Sequence, residues 1–334
     1  MSPTINNQSP KYYIDGVLQN DIAILSRAIT LVESTNETHK LVAKQILEGV
    51  LSKTGNSFRL GITGVPGVGK STFIESFGKI VVEKGHKLAV LAVDPSSNKS
   101  KGSILGDKTR MEELSAMQNV YIRPSPSSGS LGGIAKATYE TTLLCEAAGF
   151  DFIIVETVGV GQSEVAVSKI TDFFLLLMLA GAGDELQGIK RGIMEMADSI
   201  VITKADGKNL EKAKAAKMEF AQAMHYLQLP ESGFVPKVEV CSAIENKGIK
   251  EIYDLIINYK AYTIANDYFD KKRKDQQFEL LLGAIDDRLK AVFYDDKKIR
   301  KILSEIKSNQ NNKNLLPFGL GIDLVNEFLF RNSG

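Results

Sequence analysis

Short apolar runs recur along the chain, separated by longer segments in which apolar positions follow helical spacing. A run of about four to eight apolar residues favours a strand buried on both faces, and apolar positions spaced by three and four residues favour an amphipathic helix. The expected strands are 58–63, 87–93, 120–122, 151–155, 173–179, 199–203 and 235–241. The expected helices among them include 71–84, 110–118 and 134–148. This alternation predicts an α/β fold with a mostly parallel central sheet flanked by helices.

Both ends of the chain are predicted to be helical. Residues 21–51 show helical spacing, and we expect two helices there, capped by Asp21 and by Thr35 or Asn36. The expected C-terminal helices are 249–267, 278–293, 297–307 and a last one within 315–330. The chain is therefore predicted to have three parts, which are a helical extension over 1–54, a core over 55–262 and a helical region over 263–334.

Two stretches of the C-terminal region are distinctive. The basic run 271–274 lies between Asp270 and Asp275, which favours a solvated helical face. The stretch 315–330 is apolar and follows a polar linker. It packs either on a second subunit or back on its own core, and the pattern alone leaves both open.

Composition narrows the class of protein. The 334 residues carry a net charge of +1 and are 43% hydrophobic, which supports a large core and gives no field suited to nucleic acid or acidic membranes. The longest apolar run, 173–182, is too short to span a bilayer as a helix. Cys145 and Cys241 lack the close spacing of a zinc or redox pair. We expect a cytoplasmic protein with no nucleic-acid or membrane partner.

The strongest chemical signal is the glycine-rich stretch that follows the first expected strand. It reads Gly64, Val65, Pro66, Gly67, Val68, Gly69, Lys70, Ser71, Thr72, and fits the phosphate-binding pattern G-x-x-x-x-G-K-[ST]. The glycines let backbone N–H groups turn inward, and the next helix offers its positive end to the same anion. We expect Lys70 on the β- and γ-phosphates, Ser71 on Mg²⁺ and Thr72 near the α-phosphate. The alternative is a glycine turn before an ordinary helix.

Acidic residues follow two other expected strands. Asp94 ends one of them and is a candidate Mg²⁺ ligand, because ligands of parallel α/β sheets bind at the carboxyl ends of strands. Its alternative role is a helix N-cap. Glu156 ends another strand and Gly159 follows three residues later, a spacing that suits a metal-shell carboxylate and a backbone N–H for the γ-phosphate. The alternative is a solvated glutamate in a flexible glycine turn.

The last strands of the core carry a candidate base-recognition site. One strand ends in Thr203, Lys204, Ala205 and Asp206, and an aspartate accepts two hydrogen bonds from guanine that adenine does not offer. The Lys204 stem would lie across the base. Ser242 and Ala243 follow the next strand, where a backbone N–H suits the guanine carbonyl. The loop 183–192 combines glycines with charges and is expected to face a partner.

Taken together, these motifs resemble the methylmalonyl-CoA mutase-associated GTPase family of metallochaperone-type P-loop GTPases, also labelled arginine/ornithine transport-system kinases. The resemblance covers residues from about 20 to the end and rests on 64–72, 94–97, 102–111, 156–164 and 183–192. It implies a P-loop NTPase fold, binding of GTP or GDP, and a cobalamin-dependent methylmalonyl-CoA mutase or related acyl-CoA mutase as partner. It also implies a homodimer formed through the C-terminal helices.

The resemblance also implies roles for individual residues. The phosphate and Mg²⁺ environment would comprise Lys70, Ser71, Asp94, Asp107 and Glu156. Asp107 would lie in a first switch, Glu156 in a second, and 183–192 would form a third switch with Gln187 and Lys190 as reporters. This chain departs from the family in one position, because Thr203 stands where asparagine is usual, and the contact with the guanine N7 and O6 edge is expected to be weakened or replaced.

The expected reaction is Mg²⁺-dependent GTP hydrolysis by in-line attack of water on the γ-phosphate. Val160 holds the place where a small GTPase has its water-orienting glutamine, so slow intrinsic turnover is expected. Gln162, Asp107 and Arg110 are candidates to complete the site. A kinase of an amino-acid (lysine/arginine/ornithine) transport system is the alternative, although no acceptor pocket with a neighbouring base is evident. A non-hydrolysing GTP-dependent scaffold is a third hypothesis.

Overall fold

The fold is built on one sheet of seven parallel strands. The computed structural model describes residues 8–94, 111–126, 131–157, 163–181, 191–308 and 316–332. The strands are β1 (Phe58–Gly64), β2 (Leu88–Asp94), β3 (Val120–Pro126), β4 (Phe152–Thr157), β5 (Phe173–Leu179), β6 (Ser199–Thr203) and β7 (Lys237–Val240). Their order is β3-β2-β4-β1-β5-β6-β7. The predicted α/β class and parallel sheet are confirmed, and β3 runs four residues beyond the expected strand.

The helices are numbered in chain order over the described residues. They are α1 (Pro10–Leu18), α2 (Ile22–Val32), α3 (Glu37–Val50), α4 (Lys70–Glu83), α5 (Glu112–Ala116), α6 (Leu131–Ala147), α7 (Ser163–Ser168), α8 (Arg191–Met196), α9 (Leu210–His225), α10 (Ile249–Ala265), α11 (Tyr268–Asp295), α12 (Lys297–Ser308) and α13 (Pro317–Asn332). None of those in the described ranges is both long and apolar enough to cross a membrane.

Over the described residues before β1 there are three α-helices rather than the two expected. The additional helix, α1, begins with Pro10 after the N-cap Ser9, a start signal that apolar spacing alone does not contain. The caps expected for the other two are present. Asp21 accepts hydrogen bonds from the N–H groups of Ala23 and Ile24, and Asn36 accepts one from Thr38.

The position of β1 explains how the core supports the site. This strand pairs with β4 on one side and β5 on the other, and all seven of its residues are buried. Helices α4 and α10 pack over it with aromatic side chains, including Phe77 and Tyr253, whose ring centroids lie 6.1 Å apart. Strands covered on both faces require continuous apolar sequence, which is why the runs that predicted them were so clear.

The basic run of α11 is solvated only in part, because Lys271 and Lys274 are exposed as predicted. For Lys272 and Arg273, whose side chains are 19% and 13% exposed, the prediction was wrong. Arg273 donates hydrogen bonds to both carboxylate oxygens of Asp172, at 2.8 and 2.7 Å, and to the carbonyls of Gly55 and Ser57. Lys272 donates to the Asp172 carbonyl at 2.8 Å and lies 3.4 Å from the Asp198 carboxylate. Asp172 and Asp198 directly precede β5 and β6, so the first turns of α11 are fastened to the amino end of the sheet.

The described residues form two compact units, the first ending at Gln276 and the second beginning at Gln277. In the second unit the rings of Phe293 and Phe328 meet edge to face at 5.4 Å, and Lys298 pairs with Glu327. Ile299 and Leu324 are its buried apolar side chains. Many of its other apolar side chains are exposed, notably Phe278, Leu281, Leu289, Leu316, Phe318, Ile322 and Phe330. The three-part division expected from sequence stays a prediction.

Candidate functional site

The glycine-rich stretch forms the turn between β1 and α4. Gly67 and Gly69 have positive φ angles of 80° and 92°, a conformation that side chains with a Cβ adopt at a cost. A Cβ on Gly64 would lie 2.5 Å from the Leu177 carbonyl oxygen of the neighbouring β5, so this position has no room for a side chain. The loop therefore needs its glycines, and it leads straight into the N-terminus of a 14-residue helix.

Lys70 is the first residue of α4, and its ammonium group folds back over the loop. Its Nζ donates to the Gly64 carbonyl at 2.8 Å and lies 3.4 Å from the Val65 carbonyl. Burial lowers the pKa of Lys70, while the charges of Glu156 and Glu164 act in the opposite direction and favour the ammonium form. Ser71 and Thr72 follow in the first helical turn, whose N–H groups have no partner within the helix.

Two buried carboxylates lie within electrostatic reach of Lys70. Glu156 comes from the end of β4, where it pairs in register with Ile62 of β1, and its side chain is buried. Glu164 lies in the first turn of α7 and is almost completely buried. No sequence motif assigned Glu164 a role, because only the fold brings this residue towards the phosphate loop. One residue beyond Glu156, the Thr157 hydroxyl donates to the Thr63 hydroxyl at 2.8 Å and joins the ends of β4 and β1.

The protein oxygens near the phosphate loop suit a cation that takes most of its ligands from water and from substrate phosphates. Over the described ranges no group of three or more histidine, cysteine or acidic side chains is arranged to hold a metal. The Ser71 hydroxyl and the Glu156 carboxylate are oxygen donors near the phosphate loop. Mg²⁺ keeps several waters and is usually held by one or two protein ligands together with substrate phosphates, so these residues fit it.

Several predicted site residues lie outside the described residues. They are Asp107, Arg110, Gly159, Gln162, Gln187 and Lys190. The backbone of β2 ends at Asp94, as expected, but the side chain of Asp94 also belongs to the part that is not described. The roles predicted for these residues stay predictions.

The candidate base-recognition loop is fastened to the phosphate loop by Thr203. The hydroxyl of this buried residue donates to the Val68 carbonyl at 2.7 Å and lies 3.2 Å from the Met178 carbonyl. The sequence pattern indicated Thr203 only as a residue that faces the base. In the fold its hydroxyl is committed to backbone carbonyls, so its direct effect falls on the phosphate loop.

Lys204 and Asp206 extend from this loop beside the glycine stretch. Lys204 has a positive φ of 55°, and the Asn209 side-chain amide donates to its carbonyl at 2.6 Å. Its Cε would lie 3.7 Å from a Cβ placed on Gly69, so the lysine stem passes over the phosphate loop. Asp206 accepts a hydrogen bond from the Ser242 hydroxyl at 3.0 Å, which joins the two candidate base loops.

Ser242 and Ala243 lie in a tight turn after β7. The backbone pairing of β6 and β7 continues into it, since Cys241 donates to the Ile202 carbonyl and Ala205 donates to the Cys241 carbonyl, both at 2.9 Å. The Ser76 hydroxyl of α4 donates to the Ala243 carbonyl at 2.9 Å. The structure thus brings the glycine stretch, Glu156 and both candidate base loops to the carboxyl edge of the sheet, where parallel α/β sheets bind ligands.

A parallel sheet whose central strand ends in a glycine turn, a lysine and a helix N-terminus defines a P-loop nucleotide-binding protein. The family model described as "Methylmalonyl Co-A mutase-associated GTPase MeaB" matches residues 25–298. The chain belongs to this GTPase family.

Individual proteins agree with this assignment. The chain is 48% identical over 297 residues to "Probable GTPase Rv1496" of Mycobacterium tuberculosis, covering 89% of this chain and 88% of the relative. It is 48% identical over 271 residues to "Methylmalonic aciduria type A homolog, mitochondrial" of Mus musculus, covering 78% and 65%. The solved structure described as "Crystal structure of LAO/AO transport system kinase" is similar with a TM-score of 0.78 and 36% identity, covering 97% of this chain and 98% of that one.

Proposed function

We propose that this protein is a Mg²⁺-dependent GTP hydrolase whose nucleotide state regulates a cobalamin-dependent methylmalonyl-CoA mutase or a related acyl-CoA mutase. The observation that carries the proposal is the meeting of the phosphate loop with the Asp206 and Ser242 loops at one sheet edge. Membership of a GTPase family supports guanine as the base.

The residues of the phosphate loop bind the triphosphate in this proposal. Lys70 leaves the carbonyls of Gly64 and Val65 and contacts the β- and γ-phosphates. The phosphate oxygens then accept the hydrogen bonds of the ammonium group in place of the two carbonyl oxygens. The backbone N–H groups of the loop after Pro66 and those of the first turn of α4 complete the anion site.

The base is read by the two loops beyond β6 and β7. Asp206 accepts hydrogen bonds from the guanine N1–H and exocyclic amine, the Lys204 stem covers the ring, and the Ala243 N–H donates to the guanine carbonyl. Thr203 contributes through Val68, because its hydroxyl already holds that carbonyl.

Mg²⁺ would be held by Ser71, Asp94, Asp107 and Glu156, and when bound it neutralises charge on the β- and γ-phosphate oxygens. Gly159 donates its N–H to the γ-phosphate, while Gln162, Asp107 and Arg110 position the attacking water and offset the developing charge. Lys70 stabilises charge on the β–γ bridging oxygen. Val160 offers no polar group for the water, which is the reason to expect slow turnover without a partner.

The names of the family and of one relative support the partner assignment. The family description refers to methylmalonyl Co-A mutase, and the mouse relative's name refers to methylmalonic aciduria. We propose that a homodimer in the cytoplasm gates cofactor loading and protects the mutase, and that the loop 183–192 senses the client through Gln187 and Lys190.

Steady-state phosphate release with and without the mutase tests the proposal. We expect slow GTP hydrolysis that the mutase accelerates, and a Lys70→Ala variant that loses about 100-fold or more in kcat/KM, the scale typical of removing one charge-stabilising donor. The matched control is Lys84→Ala at the exposed far end of the same helix, which should behave as wild type. Fast hydrolysis that ignores the mutase would contradict the regulatory role.

A second candidate is a kinase of an amino-acid transport system, as the description of the similar crystal structure suggests. Incubation with γ-labelled GTP and candidate acceptors separates the two functions. A kinase transfers the label to the acceptor, whereas the proposed hydrolase releases it as inorganic phosphate.

A further inference from the structure

One hydrogen bond connects the helix that follows the phosphate loop to the loop that faces the base. Ser76 lies on α4 six residues after Lys70, roughly 9 Å further along the helix. Its largely buried hydroxyl donates to the carbonyl of Ala243 at 2.9 Å, across 167 positions of sequence. A single rigid element therefore carries both the start of the phosphate site and an anchor for the base loop.

The turn around Ala243 has a defined hydrogen-bond pattern. Ser242 and Lys247 exchange two backbone hydrogen bonds, at 2.9 and 3.0 Å, and the Ser242 hydroxyl accepts from the Glu245 N–H at 3.2 Å. The carbonyl of Ser242 thus faces Lys247. Because a trans peptide points its N–H opposite to its C=O, the N–H of Ala243 faces away from Lys247. Within the described part of the chain, this N–H has no acceptor.

The Ala243 carbonyl is the other fixed point of this turn. It accepts from Ser76 and, at a longer 3.4 Å, from the N–H of Asn246. Gly248 follows the turn, and this position requires glycine because a Cβ there would lie 2.3 Å from the Val240 carbonyl oxygen. Ser76 is thus the contact from outside the turn that holds the Ala243 carbonyl, and it fixes the backbone on which the free N–H is presented.

We propose that Ser76 is a specificity-positioning residue, which holds the Ala243 N–H in place to bind the six-position oxygen of a guanine base. The inference rests on the proposed GTP site and adds a residue that touches no part of the nucleotide. Asp206 lies on the neighbouring loop, so two separate groups read two separate parts of the base. Ser76 governs recognition of O6, and Asp206 governs recognition of N1–H and the amine.

Base analogues distinguish the two contributions in competition binding against a fluorescent guanine nucleotide. ITP keeps O6 and the N1–H but lacks the amine, whereas 2-aminopurine riboside triphosphate keeps the amine and lacks both O6 and the N1–H. We expect Ser76→Ala to weaken GTP and ITP by about five- to ten-fold, the usual effect of losing one hydrogen bond. The affinity for the 2-aminopurine nucleotide should not change. Ser76→Thr, which keeps the hydroxyl, should restore binding of GTP and ITP.

Two control variants distinguish a failure of the proposed base site from a failure of the role proposed for Ser76. Ser304→Ala removes a hydroxyl of the second unit that donates to the Lys301 carbonyl of its own helix, and it should leave all three affinities unchanged. Asp206→Ala should abolish the preference for GTP over ITP. If it does not, the proposed base site is wrong. If it does, but Ser76→Ala weakens all three nucleotides equally or none of them, the role of Ser76 is wrong and the GTP site stands.

Discussion

At the scale of single residues, burial decides the chemistry of the two cysteines. Cys145 lies inside α6 and Cys241 follows β7, and both are 1% exposed or less. Burial raises the pKa of both thiols, that of Cys241 to about 12. The thiolate is the reactive form, so at pH 8 both groups stay protonated and unreactive. We expect a chromogenic disulfide reagent to titrate no thiol in the native protein and both after denaturation. Rapid native reaction of one thiol would contradict this.

The same scale shows which site residues could be predicted from sequence. Lys70 and Ser71 follow from the motif because their chemistry depends on neighbours within one turn of chain. Thr203, Ser76 and Glu164 depend on contacts across the fold. The Thr203 hydroxyl reaches a carbonyl 135 positions away, and no spacing rule contains that distance. A local pattern predicts the groups proposed to contact phosphate and misses those that hold the loops in place.

At the scale of elements, the attachment of α11 to the sheet is a strong test of the fold. The Arg273 and Asp172 side chains are 13% and 1% exposed, and Asp172 also accepts from the Arg59 N–H at 2.8 Å. Removing one partner of a buried, hydrogen-bonded pair leaves an uncompensated charge. We expect Arg273→Ala to lower the free energy of unfolding by about 3–5 kcal/mol. Denaturant unfolding followed by circular dichroism measures this change.

A nearby lysine, two residues before Arg273, supplies the control for that experiment. Lys271 pairs with Glu231, and both side chains are more than half exposed. Water screens such pairs, so Lys271→Ala should cost about 1 kcal/mol or less. Equal losses for the two variants would show that α11 is not fixed through Arg273.

The sequence predicts the bounds of a central strand well, but it does not predict the ion pairs of α11. The run 173–179 matched β5 residue for residue, because a strand covered on both faces must be apolar throughout. For Lys272 and Arg273 the basic run of α11 was predicted wrongly, because its flanking acids suggested solvent. Its real partners, Asp172 and Asp198, are 101 and 74 positions away. Hydrophobic periodicity predicts that a helix exists, but it does not predict which acidic residues pair with the basic residues of that helix.

At the scale of the whole molecule, the second unit exposes many of its large apolar side chains. Phe318 is 86% exposed and Phe330 is 81% exposed, and both lie on α13. Large apolar side chains that are exposed along one helix mark a candidate association site, and symmetric dimers are the commonest homo-oligomers. This supports the proposed homodimer. It also favours the second-subunit alternative for the apolar stretch 315–330.

Light scattering coupled to size exclusion measures the assembly directly. We expect a mass twice the 36.5 kDa of the chain for the wild type. A Phe318→Glu, Phe330→Glu variant should elute as a monomer with unchanged helical content, because two charges would lose their hydration in an apolar interface. Met218→Glu is the matched control, since this side chain is 74% exposed on α9 of the first unit and should leave the dimer intact. A monomeric wild type would contradict the dimer, and a dimeric double variant would move its interface away from α13.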